Sequence, residues 1–187
     1  MKIGILLGSF DPIHIGHIYM AVSVLNNGLV DKVIFTPTVQ NPWKEHKAVD
    51  FGDRCFMIQL AIDNIPGCVL SCADYRTPEP HYSSNVLEIL KEEYPDDELY
   101  LIVGADLVSS IGYWHEGKWI LDNFKLITID REGYDDSADI KQTINISSTE
   151  IREMIKNHKQ IYPFVPKVVI NYIKENHLYD ETKFFNN

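Results

Sequence analysis

Five stretches along the chain are short, apolar and rich in β-branched residues: Lys2–Leu7, Lys32–Thr36, Gly67–Ala73, Glu98–Val103 and Phe124–Ile129. Gly8-Ser9 interrupts the first and Pro37 closes the second. Runs of this length bounded by turn signals predict buried strands. Between them the apolar positions change to a helical period. Ile18, Ala21, Val22 and Leu25 share one face of a helix predicted over Ile15–Asn27, with Gly28 where its C-terminal cap belongs. Further helices are predicted over Asp53–Asn64, Ser83–Tyr94, Ser148–Asn157 and Pro166–His177, with Ser83, Ser84 and Asn85 as capping candidates for the second of these. Strands alternating with helices predict an α/β fold, a central parallel sheet with helices on both faces. No repeat or low-complexity linker divides the chain, so a single domain over residues 1–187 is expected. Sheets of this kind bind ligands beyond the carboxyl ends of their strands. The chemistry is therefore expected just after Leu7, Thr36, Ala73, Val103 and Ile129.

After the first strand the sequence reads GSFDPIHIGH, residues 8–17. Gly8 permits a tight turn and close backbone approach to a ligand, and Pro12 stiffens the loop. His14 and His17 are three apart, so in a first helical turn they point to one side. The N–H groups and dipole at a helix start favour an anion there. Two imidazoles beside them make a site for phosphate oxygens. The alternative is a helix capped by Asp11 or Ser9 with two incidental histidines. Neither the P-loop pattern nor GxGxxG is present.

Near the other end lies ISSTEIR, residues 146–152. Ser147 and Glu150 have capping-box spacing. Ser148 stands at the same helix start as a phosphate donor, and Arg152, four residues on, shares its face and offers a fork suited to phosphate.

Charge limits the partners. The formal net charge is −10, which repels polyphosphate backbones and argues against nucleic acid. Hydrophobic residues make up 45% and charged residues 24%, an ordinary globular balance. Three cysteines, Cys55, Cys68 and Cys72, at irregular spacing fit neither a disulfide framework nor a cysteine-rich metal site, and a reducing cytoplasm is the expected location. The first apolar run is too short for a signal core or a membrane span. His115-Glu116 lacks the second histidine of HExxH.

GSFDPIHIGH resembles the [HT]xGH motif of the nucleotidyltransferase superfamily, in the form His14-Ile15-Gly16-His17. The resemblance implies a Rossmann-like fold in which Gly8, Ser9, Phe10 and Gly16 contact ATP and His14 and His17 meet its phosphates. ISSTEIR is similar to the superfamily's second phosphate motif, implying that role for Ser148 and Arg152, with Ile146 and Ser147 also at the nucleotide. The C-terminal helices from about residue 147 would close the ATP site. Smaller segments resemble bacterial nicotinate mononucleotide adenylyltransferases. Asn41-Pro42-Trp43-Lys44 is similar to their NPxK loop, Gly104-Ala105-Asp106 to a GxD motif whose carboxylate holds a ribose, and Arg131-Glu132-Gly133-Tyr134 to an RxGY loop. Trp114 matches a tryptophan that stacks on the pyridine ring. Val165-Pro166 through Tyr179 resembles their closing helix, so the likeness runs from Met1 to about Tyr179.

By that resemblance Lys44, Tyr82, Ser83, Trp114, His115 and Arg131 bind the mononucleotide. Three departures lie near the pyridine pocket: Tyr82-Ser83 stands for a Tyr-Thr pair, His115 for an aromatic residue, and Ser109-Ser110-Ile111-Gly112-Tyr113 is less typical of the family. The expected reaction is in-line attack of the mononucleotide's phosphate on the α-phosphorus of ATP. Mg²⁺ would accompany ATP, held by substrate oxygens and water, with no protein metal ligands. Transfer to nicotinamide mononucleotide or pantetheine phosphate stands as an alternative, as does a non-catalytic nucleotide-binding protein. A homo-oligomer is left open.

Overall fold

The computed structural model describes residues 1–40, 48–130, 138–141 and 144–179. Lys44, Arg131 and the tail after Tyr179 lie outside the described residues, as do the two loops that carry the first pair.

Five strands form one parallel sheet: β1 (Lys2–Gly8), β2 (Lys32–Pro37), β3 (Cys68–Leu70), β4 (Glu98–Gly104) and β5 (Lys125–Ile129). Their order across the sheet is β3-β2-β1-β4-β5. The chain winds outward from β1 in one direction, then returns to start β4 on the other side of β1. That reversal is a topological switch point, and it lies between β1 and β4. The two strands pair from Lys2↔Glu98 to Ile5↔Leu101, whereas β1 stays paired with β2 out to Gly8↔Pro37. A crevice therefore opens between the carboxyl ends of β1 and β4.

The helices are α1 (Ile15–Asn26), α2 (Phe51–Ile62), α3 (Ser83–Glu93), α4 (Ala105–Val108), α5 (Gly117–Asn123), α6 (Ser148–Lys156) and α7 (Lys167–Glu175). Strand residues alternate between two apolar clusters, as a two-fold side-chain period requires when both faces are covered. Leu6, Val33, Phe35, Ile102 and Ile127 pack with Ala21 and Val24 of α1, Met57 and Ile58 of α2, Ile151 of α6 and Val169 and Ile173 of α7. Ile3, Ile5, Ile34, Leu99, Leu101 and Val103 pack on the opposite face with Val86, Leu87 and Leu90 of α3 and Ile120 of α5. Each buried Ile or Leu contributes about 1.5–3 kcal/mol, so the alternation settles the register of β1, β2, β4 and β5.

Three local expectations need correction. The third strand is only Cys68–Leu70, because the chain leaves the sheet there and enters a 3-10 turn at Ala73–Arg76. Neither Ser83, Ser84 nor Asn85 caps α3: its N-cap is Tyr82, with no side-chain hydrogen bond, and Ser84 turns instead toward His115. Asp11 and Ser9 do not cap α1, whose N-cap is His14. The capping box of α6 forms as read, with Ser147 Oγ accepting from the Glu150 N–H and the Glu150 carboxylate accepting from the Ser147 N–H. Gly28 follows the C-cap Asn27 at φ +65 and donates to the Leu25 carbonyl.

Candidate active site

The loop from Gly8 to His14 leaves β1 at the switch point. Phe10 takes φ +47 and buries its ring against Phe35, 5.7 Å between centroids. That anchor turns the following residues back over the sheet. His14 then stands in extended backbone, φ −143, at the start of α1. His17, one turn on, stacks its ring on His14 at 3.7 Å between centroids and 24° between planes, and meets the Phe10 ring edge-on at 4.8 Å. The His14 N–H donates to His17 Nδ1 at 3.3 Å. An accepting Nδ1 puts the proton of the neutral His17 ring on Nε2, which makes Nε2 a donor. Gly16 is required by space: a Cβ there would lie 2.9 Å from His14 Nδ1 and 3.4 Å from the Ile144 carbonyl oxygen. No acidic residue occupies the first turn of α1, so nothing in that turn opposes an anion.

The helix α6 docks onto the same loop from the far end of the chain. Ser148 Oγ donates to the Pro12 carbonyl at 2.9 Å, across 136 residues. Arg152 Nη1 donates to the Asp11 carbonyl at 2.7 Å, across 141 residues, and Nη2 to Thr149 Oγ1 at 3.2 Å. The two signatures recognised in the sequence thus meet in space, and both residues of the second share one face of α6. In this arrangement Ser148 and Arg152 hold the loop, with Arg152 one-fifth exposed. Ile144 also reaches the site, through its carbonyl next to Gly16, and the Ile15 N–H is held by the Phe164 carbonyl at 2.8 Å.

Behind the loop lies a charged network that sequence reading missed. Arg54 of α2 is 1% exposed, and its guanidinium donates to four carbonyls: Val49 from Nε, Ser9 and Thr38 from Nη1, and Val39 from Nη2, at 2.6–2.8 Å. It ties the exit of β1 to the exit of β2. Burial lowers the pKa of Arg54, and the neighbouring Asp11 charge works against that shift. Asp11 is itself buried; its Oδ1 accepts from the Tyr179 hydroxyl at 2.8 Å and from the Val49 N–H at 3.3 Å. Arg152 Nη1 lies 3.7 Å from Asp11 Oδ2. Burial and the Asp11 charge raise the pKa of Tyr179, keeping it a neutral donor. Two guanidinium groups thus flank the Asp11 carboxylate under the loop. The one sequence signal for Arg54 was a charge among the apolar residues Cys55, Met57 and Ile58 of an amphipathic helix.

A second buried carboxylate braces the exit of β2. Asp74 is 1% exposed; it accepts from the Val39 N–H at 2.6 Å and from the Thr77 hydroxyl at 3.0 Å. Burial raises its pKa, against those hydrogen bonds.

Across the crevice, β4 ends at Gly104, the N-cap of α4, and places Asp106 in its first turn. The following segment bends through a 3-10 turn at Ile111–Tyr113 to half-buried Trp114 and exposed His115. Gly117 fixes that bend, because a Cβ would fall 2.2 Å from the Ile111 carbonyl oxygen. His115 stacks on Tyr82 at 4.0 Å with the rings 4° apart, and its Nδ1 shares a 2.9 Å hydrogen bond with Ser84 Oγ. Tyr82, Ser83, Trp114 and His115 are therefore brought to one side. Beside them a cavity of about 220 Å³ is lined by Ser84, Asn85, Glu88, His115, Glu116 and Trp119.

A doubly wound sheet, with two helix starts meeting beyond β1 and aromatic residues across the switch point, defines a nucleotide-handling α/β protein. A family model described as Cytidylyltransferase-like matches residues 5–154, and the chain belongs to that family. Among its relatives, the nicotinate-nucleotide adenylyltransferase of Bacillus subtilis is 33% identical over 189 residues, covering 96% of this chain and 98% of the relative. The Bacillus pumilus protein described as "Probable nicotinate-nucleotide adenylyltransferase" is 35% identical over 187 residues, covering 96% of this chain and 98% of the relative. Among solved structures, the Plasmodium falciparum nicotinic acid mononucleotide adenylyltransferase complexed with NaAD superposes with a TM-score of 0.77 at 23% identity, over 96% of this chain and 97% of that one.

Proposed function

We propose that this chain transfers the adenylyl group of ATP to nicotinate mononucleotide, giving deamido-NAD and pyrophosphate. The observation that carries the reading is the meeting of the His14/His17 helix start with Ser148 and Arg152 of α6 at the carboxyl end of β1.

His17 Nε2 and the N–H groups at the start of α1 face ATP phosphate oxygens, with His14 stacked behind. Arg152 turns its remaining guanidinium donors to the same oxygens, and the α6 start around Ile146, Ser147 and Ser148 lies along the nucleotide. Gly8, Ser9, Phe10 and Gly16 shape the floor on which ATP lies, and Gly104 and Asp106 flank a ribose. Trp114 and Tyr82 hold the pyridine ring, with the main-chain N–H groups of Ser83 and His115 reading its carboxylate; Lys44 and Arg131 serve the same substrate. The attacking phosphate is already an anion near neutral pH, so the protein supplies orientation and charge stabilisation rather than a general base. The partly exposed Arg152 guanidinium favours the negative charge that gathers on the departing pyrophosphate, while Arg54 holds the loop in place from behind.

The donor set suits phosphate oxygens better than a cation. No described cluster of three His, Cys, Asp or Glu side chains could hold a metal, and the Asp11 carboxylate is occupied by Tyr179 and Arg152. Mg²⁺ fits as a companion of ATP, and when bound it supplies charge neutralisation to the triphosphate. The chain acts as one catalytic unit over residues 1–187, in the cytoplasm; three cysteines at a spacing that suits no disulfide framework support that location. No helix among the described residues is long and apolar enough to cross a membrane.

The test is pyrophosphate release with ATP and Mg²⁺, comparing nicotinate mononucleotide, nicotinamide mononucleotide and 4′-phosphopantetheine. Preference for the nicotinate form is expected; preference for another acceptor would move the substrate, and no turnover with any would remove the activity. His17→Ala is expected to lower kcat by about 10²–10³-fold while melting near the wild type. A near-wild-type kcat would refute the role of the histidine pair.

A further inference from the structure

Away from the nucleotide crevice, two cysteines face each other across the junction of α2 and β3. Cys55 Sγ lies 3.1 Å from Cys72 Sγ. A covalent S–S bond is about 2.05 Å, so a small side-chain movement separates this contact from a bond. The accessibility of the two thiols differs: Cys55 is buried on α2, whereas Cys72 is exposed where the chain leaves β3. Cys68, only four residues from Cys72, has no such sulfur partner among the described residues.

The neighbours of the pair give it a consequence. Arg54 precedes Cys55 and donates to the Val39 carbonyl, and Asp74, two residues after Cys72, accepts from the Val39 N–H. A bridge between these cysteines would therefore fasten together the two elements that grip the exit of β2 from either side.

We propose that Cys55 and Cys72 form a reversible intramolecular disulfide when the protein meets a low-molecular-weight disulfide oxidant, and that the bridge locks the clamp on Val39. The Cys72 thiolate attacks one sulfur of the small disulfide, forming a mixed disulfide and releasing one small thiolate. Cys55 sulfur then attacks Cys72 Sγ, its proton passing to the second small thiolate as that leaves. The sum is two protein thiols and one small disulfide exchanged for one protein disulfide and two small thiols. The order follows from the environments. Burial pushes the Cys55 thiol up to about 12, with the Cys72 hydrogen bond and charge adding to the shift. Capping Cys72 as a mixed disulfide removes those two additions and brings a leaving group within reach, so Cys55 is the resolving thiol.

The experiment uses the full chain, incubated with oxidised glutathione, alkylated under denaturing conditions and peptide-mapped by mass spectrometry. The wild type is expected to lose two alkylatable thiols, retain no glutathione and yield a Cys55–Cys72 cross-linked peptide. Cys55→Ser is expected to accumulate a stable glutathione adduct on Cys72, and Cys72→Ser to leave Cys55 alkylatable. A lasting adduct on wild-type Cys72, or a bridge involving Cys68, overturns the proposal. The two cysteines are 17 positions apart, so the oxidised wild type is expected to melt about 6–12 °C higher than the reduced form, returning on addition of dithiothreitol. An oxidised form that melts at or below the reduced one refutes the locking of the clamp.

Discussion

Replacing Arg54 by Met removes a cation from the interior while keeping the length of its stem. Four carbonyls, those of Ser9, Thr38, Val39 and Val49, lose their donor at once. Hydrogen bonds to a charged group are each worth about 1.5–3 kcal/mol, so the gross loss is roughly 6–12 kcal/mol. Against that stands relief of the burial penalty that lowers the Arg54 pKa, a matter of several kcal/mol for a buried ion. Removing one partner of a buried charged network usually costs about 3–5 kcal/mol in the end; here four carbonyls lose their donor, and Asp11 keeps Arg152, Tyr179 and the Val49 N–H as partners. For a chain of this size that corresponds to a Tm lowered by roughly 6–20 °C. Urea unfolding followed by circular dichroism measures it directly, with the slope checked for two-state behaviour. A loss under about 1 kcal/mol would mean that water replaces the guanidinium at no cost, and the picture of a dry clamp beneath the loop would be wrong.

Three other perturbations reach different parts of the same frame. Gly16→Ala drives a Cβ against His14 Nδ1 and the Ile144 carbonyl; kcat should fall at least tenfold with Tm little changed, and unaltered steady-state kinetics would show that the stacked pair can shift freely. Tyr179→Phe takes one donor from buried Asp11, a loss of about 1–3 kcal/mol in urea unfolding, and an unchanged midpoint would assign that contact no weight. Asp74 has a folded pKa raised by burial, so the native state holds this proton more tightly than the unfolded chain. Its contribution is fully present below the ordinary carboxylate pKa of about 4 and is lost as pH rises through the raised value. Asp74→Asn keeps an acceptor for Val39 without the charge; it should match the wild type in acid and become relatively more stable toward neutral pH, whereas a gap that widens on acidification contradicts this.

Much of the fold was legible because its strands are buried on both faces. Runs such as Ile3–Leu7 and Leu99–Val103 cannot alternate with polar residues in such a sheet, so they stand out as continuous apolar blocks. The long helices showed by their period. Helices α4 and α5 leave no periodic trace, because 4 and 7 residues are too few to display one, and the third strand is shorter than its apolar run, with Asp74 turned out of the sheet to hold the Val39 N–H. At the candidate site, residues clustered in a local motif could be read, as with His14 and His17. Arg54 could not: its partners are main-chain carbonyls, which carry no residue-specific mark, and they lie on three separate segments. Ser148 and Arg152 were singled out as donors to a ligand, but their first acceptors prove to be the Pro12 and Asp11 carbonyls, again invisible in a one-dimensional reading.

The contact between α6 and the loop after β1 also sets a clock on biosynthesis. Arg152 of α6 meets the Asp11 carbonyl across 141 residues, and at about 5–20 residues per second a ribosome needs roughly 7–28 s to supply the second partner after the first. Through that interval the nascent chain holds the histidine pair but not the helix that completes its frame. A frame assembled from segments 141 residues apart is thus withheld from any product truncated before α6, whatever else of the sheet it has already built.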